Sequence, residues 1–208
     1  METVSGMLAG GRSARGREVS VVSSPPAPAR RADAERNRAK ILAAARKAFA
    51  EPGDLPSMAE ISRRAGVGMA TLYRNFPNRQ DLIAELYRAV VDDICHAAAA
   101  AEGDTPGEAF FGWLRRFHAA GARKGPLAAL LSAEADGDSP VLNESRSRVI
   151  AAGEPLLAAA QRSGEVRADV SLGAVLDTVV RVAHMRHDPA VTDTMVQVLF
   201  DGLRRTPA

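Results

Sequence analysis

The residues whose types and spacing could do chemistry fall in one stretch, positions 55–82, reading LPSMAEISRRAGVGMATLYRNFPNRQDL. Ser57 is an N-cap candidate, and Glu60 three residues on completes a capping box. A short helix follows, with Met58, Ile61 and Ala65 facing inward. Gly66 ends that helix and permits a tight turn, and Val67 plugs the turn against the core. A second short helix opens near Gly68 or Met69, with Leu72 inward. Two short helices about a glycine turn make a helix-turn-helix. Its second helix can lie in the major groove of DNA with its first residues at base edges.

Other chemistry finds little support. His184 and His187 are spaced to share a metal, but no third ligand is placed to help and zinc sites need three or four. His96 and His118 are isolated. Cys95 is the single cysteine, so it closes no intrachain disulfide and fits a reducing compartment. Cys95 and His96 are adjacent on a helix and point apart, so they are no catalytic pair. There is no nucleophile–base constellation, phosphate-binding loop or dinucleotide fingerprint. Neither an enzyme, a cofactor nor a metal is expected.

The stretch resembles the TetR family of bacterial transcriptional regulators. The resemblance is carried by Ser57, Ile61-Ser62, Ala65-Gly66-Val67-Gly68, Thr71-Leu72-Tyr73, Phe76-Pro77, and Arg79 with Leu82. It covers about 50 residues, positions 34–82, without a gap. It implies that Ser57, Thr71, Tyr73 and Arg79 hold DNA phosphates, for which a hydroxyl, a phenol and a guanidinium have the right donors. Met69 and Ala70, preceded by Gly68, match positions that face bases; both are apolar and suit thymine methyls rather than bidentate hydrogen bonds. Asn75 and Arg74 lie within reach of phosphate and base respectively. Two departures stand out. Gly68 replaces a small hydroxyl residue, weakening the cap, and Met69 replaces a common lysine. Sequence preference is therefore expected to lean on DNA shape as well as on direct contacts.

The elements that position these residues are read as all-α. From Asp33, a plausible N-cap, Ile41, Leu42, Ala45, Ala48 and Phe49 repeat at helical spacing, and Pro52-Gly53 stops the helix. Asn78 caps a long helix to about residue 101, with Asp81 three residues on and Leu82, Ile83, Leu86, Val90 and Ile94 as its apolar stripe. Thr105 caps the next, with Pro106 first in the helix and Glu108 three residues after the cap. Further helices are predicted at about 106–122, 126–134, 140–162, 171–184 and 189–205, separated by Gly- and Pro-rich breaks.

Bulk properties agree. The chain has 208 residues, 46% hydrophobic and 25% charged, enough for one domain or two modest ones. No apolar run reaches the roughly 18 residues that span a bilayer, and no export signal is evident, so no membrane partner and a cytoplasmic location are expected. Residues 1–32, rich in Gly, Ser, Arg and Pro, read as a disordered basic tail. It is either an arm adding phosphate contacts or an inert extension. Residues 33–80 hold nine basic and five acidic side chains, whereas 81–208 hold thirteen and eighteen. A basic front and an acidic rear suit a polyanion at the front.

Three regions are thus expected: the tail over 1–32, a three-helix DNA-binding domain over 33–80, and a helical effector-binding and dimerisation domain over 81–208. In the last, Phe110, Phe111, Trp113, Leu114 and Phe117 cluster, and Phe110, Trp113, Leu114 and Phe117 share one face. They are either plain core or the wall of an apolar effector pocket; the resemblance implies a pocket. It also implies a homodimer through the last two helices, whose stripes are Leu172, Val175, Leu176, Val179 and Val180, then Val191, Met195, Val198, Leu199 and Gly202. Those stripes could instead be internal core. The function implied is a repressor that binds a palindromic double-stranded DNA operator and releases it on binding a small molecule. A regulator that needs no effector is the alternative.

Overall fold

The computed structural model describes residues 28–51, 54–134, 139–183 and 189–205. Residues 1–27 of the tail predicted over 1–32, the stop at Pro52-Gly53, the break at Asp136-Gly137-Asp138 and the pair His184 and His187 lie outside them, whereas residues 28–32 of that tail are helical. The described residues form eight helices: α1 (Pro28–Ala50), α2 (Met58–Ala65), α3 (Met69–Asn75), α4 (Arg79–Ala99), α5 (Pro106–Glu134), α6 (Pro140–Arg162), α7 (Leu172–Ala183) and α8 (Pro189–Leu203). The only pairing of extended backbone among them is an antiparallel bridge between Val166 and Arg204. The fold is all-α, as the hydrophobic spacing predicts.

Two helix boundaries differ from the prediction. α1 begins at Pro28 rather than Asp33, because proline is well suited to the first turn of a helix and the alanines and arginines that follow favour helix. Asp33 is inside it and pairs with Arg36 one turn on. The break predicted at Gly125-Pro126 is absent: α5 runs through Pro126 as one helix of 29 residues. Proline there costs one backbone hydrogen bond. Continuous burial of Leu127 and Leu131 on the same face as Leu114 and Phe117 offsets that cost.

The caps at Asn78 and Thr105 behave as the sequence predicts, whereas Asp33 caps nothing. Asn78 Oδ1 accepts from the Asp81 amide at 2.8 Å, and Thr105 Oγ1 from the Glu108 amide at 3.2 Å. One core runs through the molecule. Ile41, Ile61, Leu72 and Phe76 form its head end, and Leu82, Ile83, Leu86 and Val91 of α4 continue it into the body. There the aromatic cluster of α5 fills the space between α4, α6 and α7. Phe110, Trp113, Leu114 and Phe117 are all at most 3% exposed. Trp113 Nε1 donates to the Ile94 carbonyl at 3.1 Å, so α5 is pinned to α4 by a satisfied indole. The Trp113 ring lies against Gly153 of α6, where a Cβ would collide with it.

The loop between α6 and α7 ties the far end together. Gly164 takes φ +78°, turning Glu165 towards the start of α5. The Glu165 carboxylate accepts from Thr105 Oγ1 at 2.5 Å and from the Gly107 amide at 3.0 Å. These bonds, with one from Ser163, hold it below the usual carboxylate range. A carboxylate at a helix N-terminus also meets the positive end of its dipole.

Candidate nucleic-acid interface

The head is assembled by local rules. Ser57 Oγ accepts from the Glu60 amide at 3.1 Å and starts α2. The Glu60 carboxylate is drawn to Arg63 and Arg64, at 2.7 and 2.5 Å. α2 ends at Gly66, whose φ of +64° lies in the left-handed region that suits glycine. The turn has a further lock that the sequence reading missed. Ser62 is 4% exposed, donates its hydroxyl to the Val67 carbonyl at 2.6 Å, and accepts the Val67 amide on its own carbonyl at 3.2 Å. Nothing in the spacing marks Ser62, because a small residue there reads simply as a packing position.

α3 then presents its surface. Leu72 is wholly buried, while Met69 is 38% and Tyr73 45% exposed. Gly68, Ala70 and Arg74 are also exposed. The four residues expected to face bases, Gly68, Met69, Ala70 and Arg74, therefore share the open side of α3, clear of the core. Gly68 supplies no side-chain cap, as its identity dictates. Its φ of −72° is ordinary, and a Cβ there would meet nothing within 4 Å.

The residues expected to hold phosphates divide. Ser57 and Tyr73 are exposed and Thr71 and Arg79 half-buried. Ser57 Oγ and Thr71 Oγ1 each already accept one hydrogen bond, from the Glu60 amide and from Arg74 at 2.9 Å, which leaves each hydroxyl proton free to donate. The Arg79 guanidinium lies over the Phe49 ring, 5.8 Å from its centroid. Asn75 is different: its Nδ2 donates back to the Thr71 carbonyl at 2.8 Å, and its carbonyl accepts from Arg38 at 3.3 Å. Asn75 closes α3 and joins it to α1.

Charge pairing sharpens which cations are available. Arg64 bonds to Glu51 and Glu60, which hold its pKa above the ordinary guanidinium value. Arg63 bonds to Glu60. Arg38 pairs with Glu85 of α4 at 3.0 Å and stacks 4.5 Å from the Phe76 ring centroid. Arg74 in α3 and Arg79 at the start of α4, by contrast, have no carboxylate within ion-pair range among the described residues. Both add positive charge beside the outer face of α3.

A buried helix face, an exposed recognition face and unpaired guanidiniums beside it define a helix-turn-helix DNA-binding regulator. Comparison with known proteins gives the family. Residues 41–86 match the sequence model of bacterial regulatory proteins of the tetR family. Residues 105–205 match that of the C-terminal domain of SbtR-like transcriptional regulators. The chain is 34% identical to a TetR transcriptional regulator of Streptomyces coelicolor, covering 82% of this chain and 99% of that one with a TM-score of 0.65. It is 38% identical to a TetR regulator of Mycobacterium vanbaalenii, covering 84% and 98% with a TM-score of 0.62. A TetR/AcrR-family regulator of Thermobifida fusca is 25% identical over 81% and 98%, with a TM-score of 0.58. The chain belongs to the TetR family of DNA-binding transcriptional regulators.

The structure also places the residues expected to serve effector and dimer. Phe110, Trp113 and Phe117 stack along α5 with ring centroids 6.3 and 6.2 Å apart, and Phe111 lies 6.1 Å from Phe200 of α8. The expected pocket residues Phe110, Trp113, Leu114 and Phe117 are thus placed in the buried core of the body. The two terminal stripes part company. On α7, Leu172, Val175, Leu176 and Val179 are buried within the subunit; on α8, Val191, Met195 and Val198 are 47%, 43% and 61% exposed. No described helix is long and apolar enough to cross a membrane.

Proposed function

We propose that the protein is a homodimeric repressor that reads a palindromic operator with α3 of each head and releases it when a small molecule binds the body. The observation that carries the DNA-reading part is the two-sided character of α3: Leu72 anchors it, and Gly68, Met69, Ala70, Tyr73 and Arg74 are turned outward. In this reading Ser57, Thr71, Tyr73 and Arg79 hold phosphates and fix the register, while the apolar Met69 and Ala70 meet thymine methyls.

The dimer reading is supported by the strip on α8. Val191, Met195 and Val198 recur at helical spacing on one exposed face, and Gly202, with open space where its Cβ would be, extends the strip and permits close approach. An apolar strip of this kind suits a two-fold partner. Two heads held this way would read half-sites about one helical turn, or a multiple, apart. The test is selection of bound duplexes from a random pool, followed by light scattering of the complex. Palindromic sequences bound by an even number of subunits are the expected result. Asymmetric sequences bound by a monomer would contradict the dimeric reading.

A second reading, a regulator that needs no effector, draws on the packing of the α5 aromatics. Stacked rings leave that face of the helix filled.

A further inference from the structure

A cavity of about 530 Å³ lies at the junction of head and body, within the range of ligand pockets, about 300–1,000 Å³. Its walls are apolar: Phe49 from the end of α1, Leu86 and Val90 from α4, Pro126 and Leu127 from α5, with Ala89 between them. The interruption of hydrogen bonding at Pro126 therefore falls at the cavity wall. Four charged residues also line it, Arg46, Glu51, Asp93 and Arg123. Arg123 faces Asp93 at 3.5 Å, and Glu51 is held by Arg64 at 2.6 Å. Arg46 has no carboxylate partner among the described residues. The hollow thus combines greasy walls with one uncompensated guanidinium, the pairing that receives an apolar body carrying a carboxylate.

Its position gives such a ligand leverage. One wall belongs to α1 of the head and the others to α4 and α5 of the body. The Phe49 ring that lines it also lies under the Arg79 guanidinium, at the first residue of α4. A molecule wedged here touches the head, the body and the packing of a residue proposed to hold DNA phosphate.

We propose that this junction cavity, rather than the aromatic face of α5, is the effector site, and that its ligand is an amphipathic carboxylate whose acid group pairs with Arg46. The inference rests on the reading of ligand-responsive repression. A ligand that prefers one angle between α1 and α4 shifts the population of heads able to fit the operator, by its differential affinity for the two states.

The test uses the full chain, decanoate with uncharged decanol as its control, and a duplex selected by the wild-type protein. Calorimetry reads ligand binding and fluorescence anisotropy reads DNA release. Decanoate is expected to bind saturably and at least about tenfold more tightly than decanol, and to weaken DNA binding. Arg46→Gln should remove that preference, the loss of one charged hydrogen bond corresponding to about tenfold. Ala89→Phe should fill the cavity and abolish binding, and Arg46→Gln should keep the ligand-free DNA affinity. If Ala89→Phe fails to fold, Arg46→Gln decides alone, since its side chain is on the surface. Decanoate binding undiminished in these variants would overturn the junction site while leaving ligand-responsive repression standing. Absence of saturable decanoate binding to the wild type would also overturn the site. Binding lost in both variants but without effect on DNA affinity would uphold the site and overturn its role in repression.

Discussion

The head and the body solve the same problem, ordering helices, in opposite ways. The head uses helices of eight and seven residues, α2 and α3, too short to be stable alone. They hold together through end groups: the Ser57 cap, the left-handed Gly66, the Ser62 bond to Val67, and Asn75 folding back on Thr71. The body uses helices of up to 29 residues and holds them by filling space, with Trp113 against Gly153 and stacked rings along α5. The difference teaches where function can be placed. A head fixed by its end groups keeps the outer face of α3 free, whereas a body fixed by packing has little room to spare along its aromatic spine.

The comparison is sharpened by variants that act on one region only. The largest effect is expected from Trp113→Ala. Removing a buried tryptophan costs about 3–5 kcal/mol, and the Ile94 carbonyl loses its donor. Thermal unfolding should fall steeply, while the folded fraction still binds DNA. A loss of DNA binding at full stability would break the division between regions.

Next is Lys124, 9% exposed, with its ammonium 3.9 Å from the Phe117 ring centroid. Burial lowers its pKa from 10.5 to about 8. Below pH 8 it is charged in both folded and unfolded chains, and the folded state bears the full cost of burying the charge. Between about 8 and 10.5 the unfolded chain binds more protons, so this residue's contribution to stability rises with pH. Lys124→Met should raise stability at pH 7 by roughly 1–3 kcal/mol and flatten that rise. Urea titrations at pH 7 and pH 10 read both effects.

In the head, Ser62→Ala leaves the Val67 carbonyl short of a partner and should cost about 1–2 kcal/mol, read by urea denaturation. The smallest effect runs the other way. Gly68→Ser has room for its side chain and adds the missing cap, so a gain of a few tenths of a kcal/mol is expected. Destabilisation by Gly68→Ser would show that the backbone there is less tolerant than its φ implies.

The head was legible in the sequence because its determinants are local. Ser57, Gly66 and Asn78 declare themselves by type and by distance from the next apolar residue. What escaped notice there were bonds reaching beyond a turn, such as Arg38 to Glu85 and to the Asn75 carbonyl. Those depend on where α1 crosses α4. In the body, helix positions were readable but two features were not. The passage of α5 through Pro126 depends on burial of the residues around it, and the junction cavity exists only once three helices meet. Lys124, next to Arg123 in sequence, looks like an ordinary surface cation until the fold covers it. The α8 strip and the α7 stripe look alike as patterns; only packing shows that one turns inward and the other to solvent.

The central claim is that the outer face of α3 and the unpaired guanidinium beside it bind DNA. The direct measurement is a gel shift of Tyr73→Ala/Arg79→Ala on a duplex selected by the wild-type protein, with unfolding followed in parallel. Affinity is expected to fall by about tenfold or more, and the salt dependence of binding to become shallower by about one unit of log–log slope, with the fold retained. Unchanged affinity and an unchanged salt slope in a folded double variant would contradict the account.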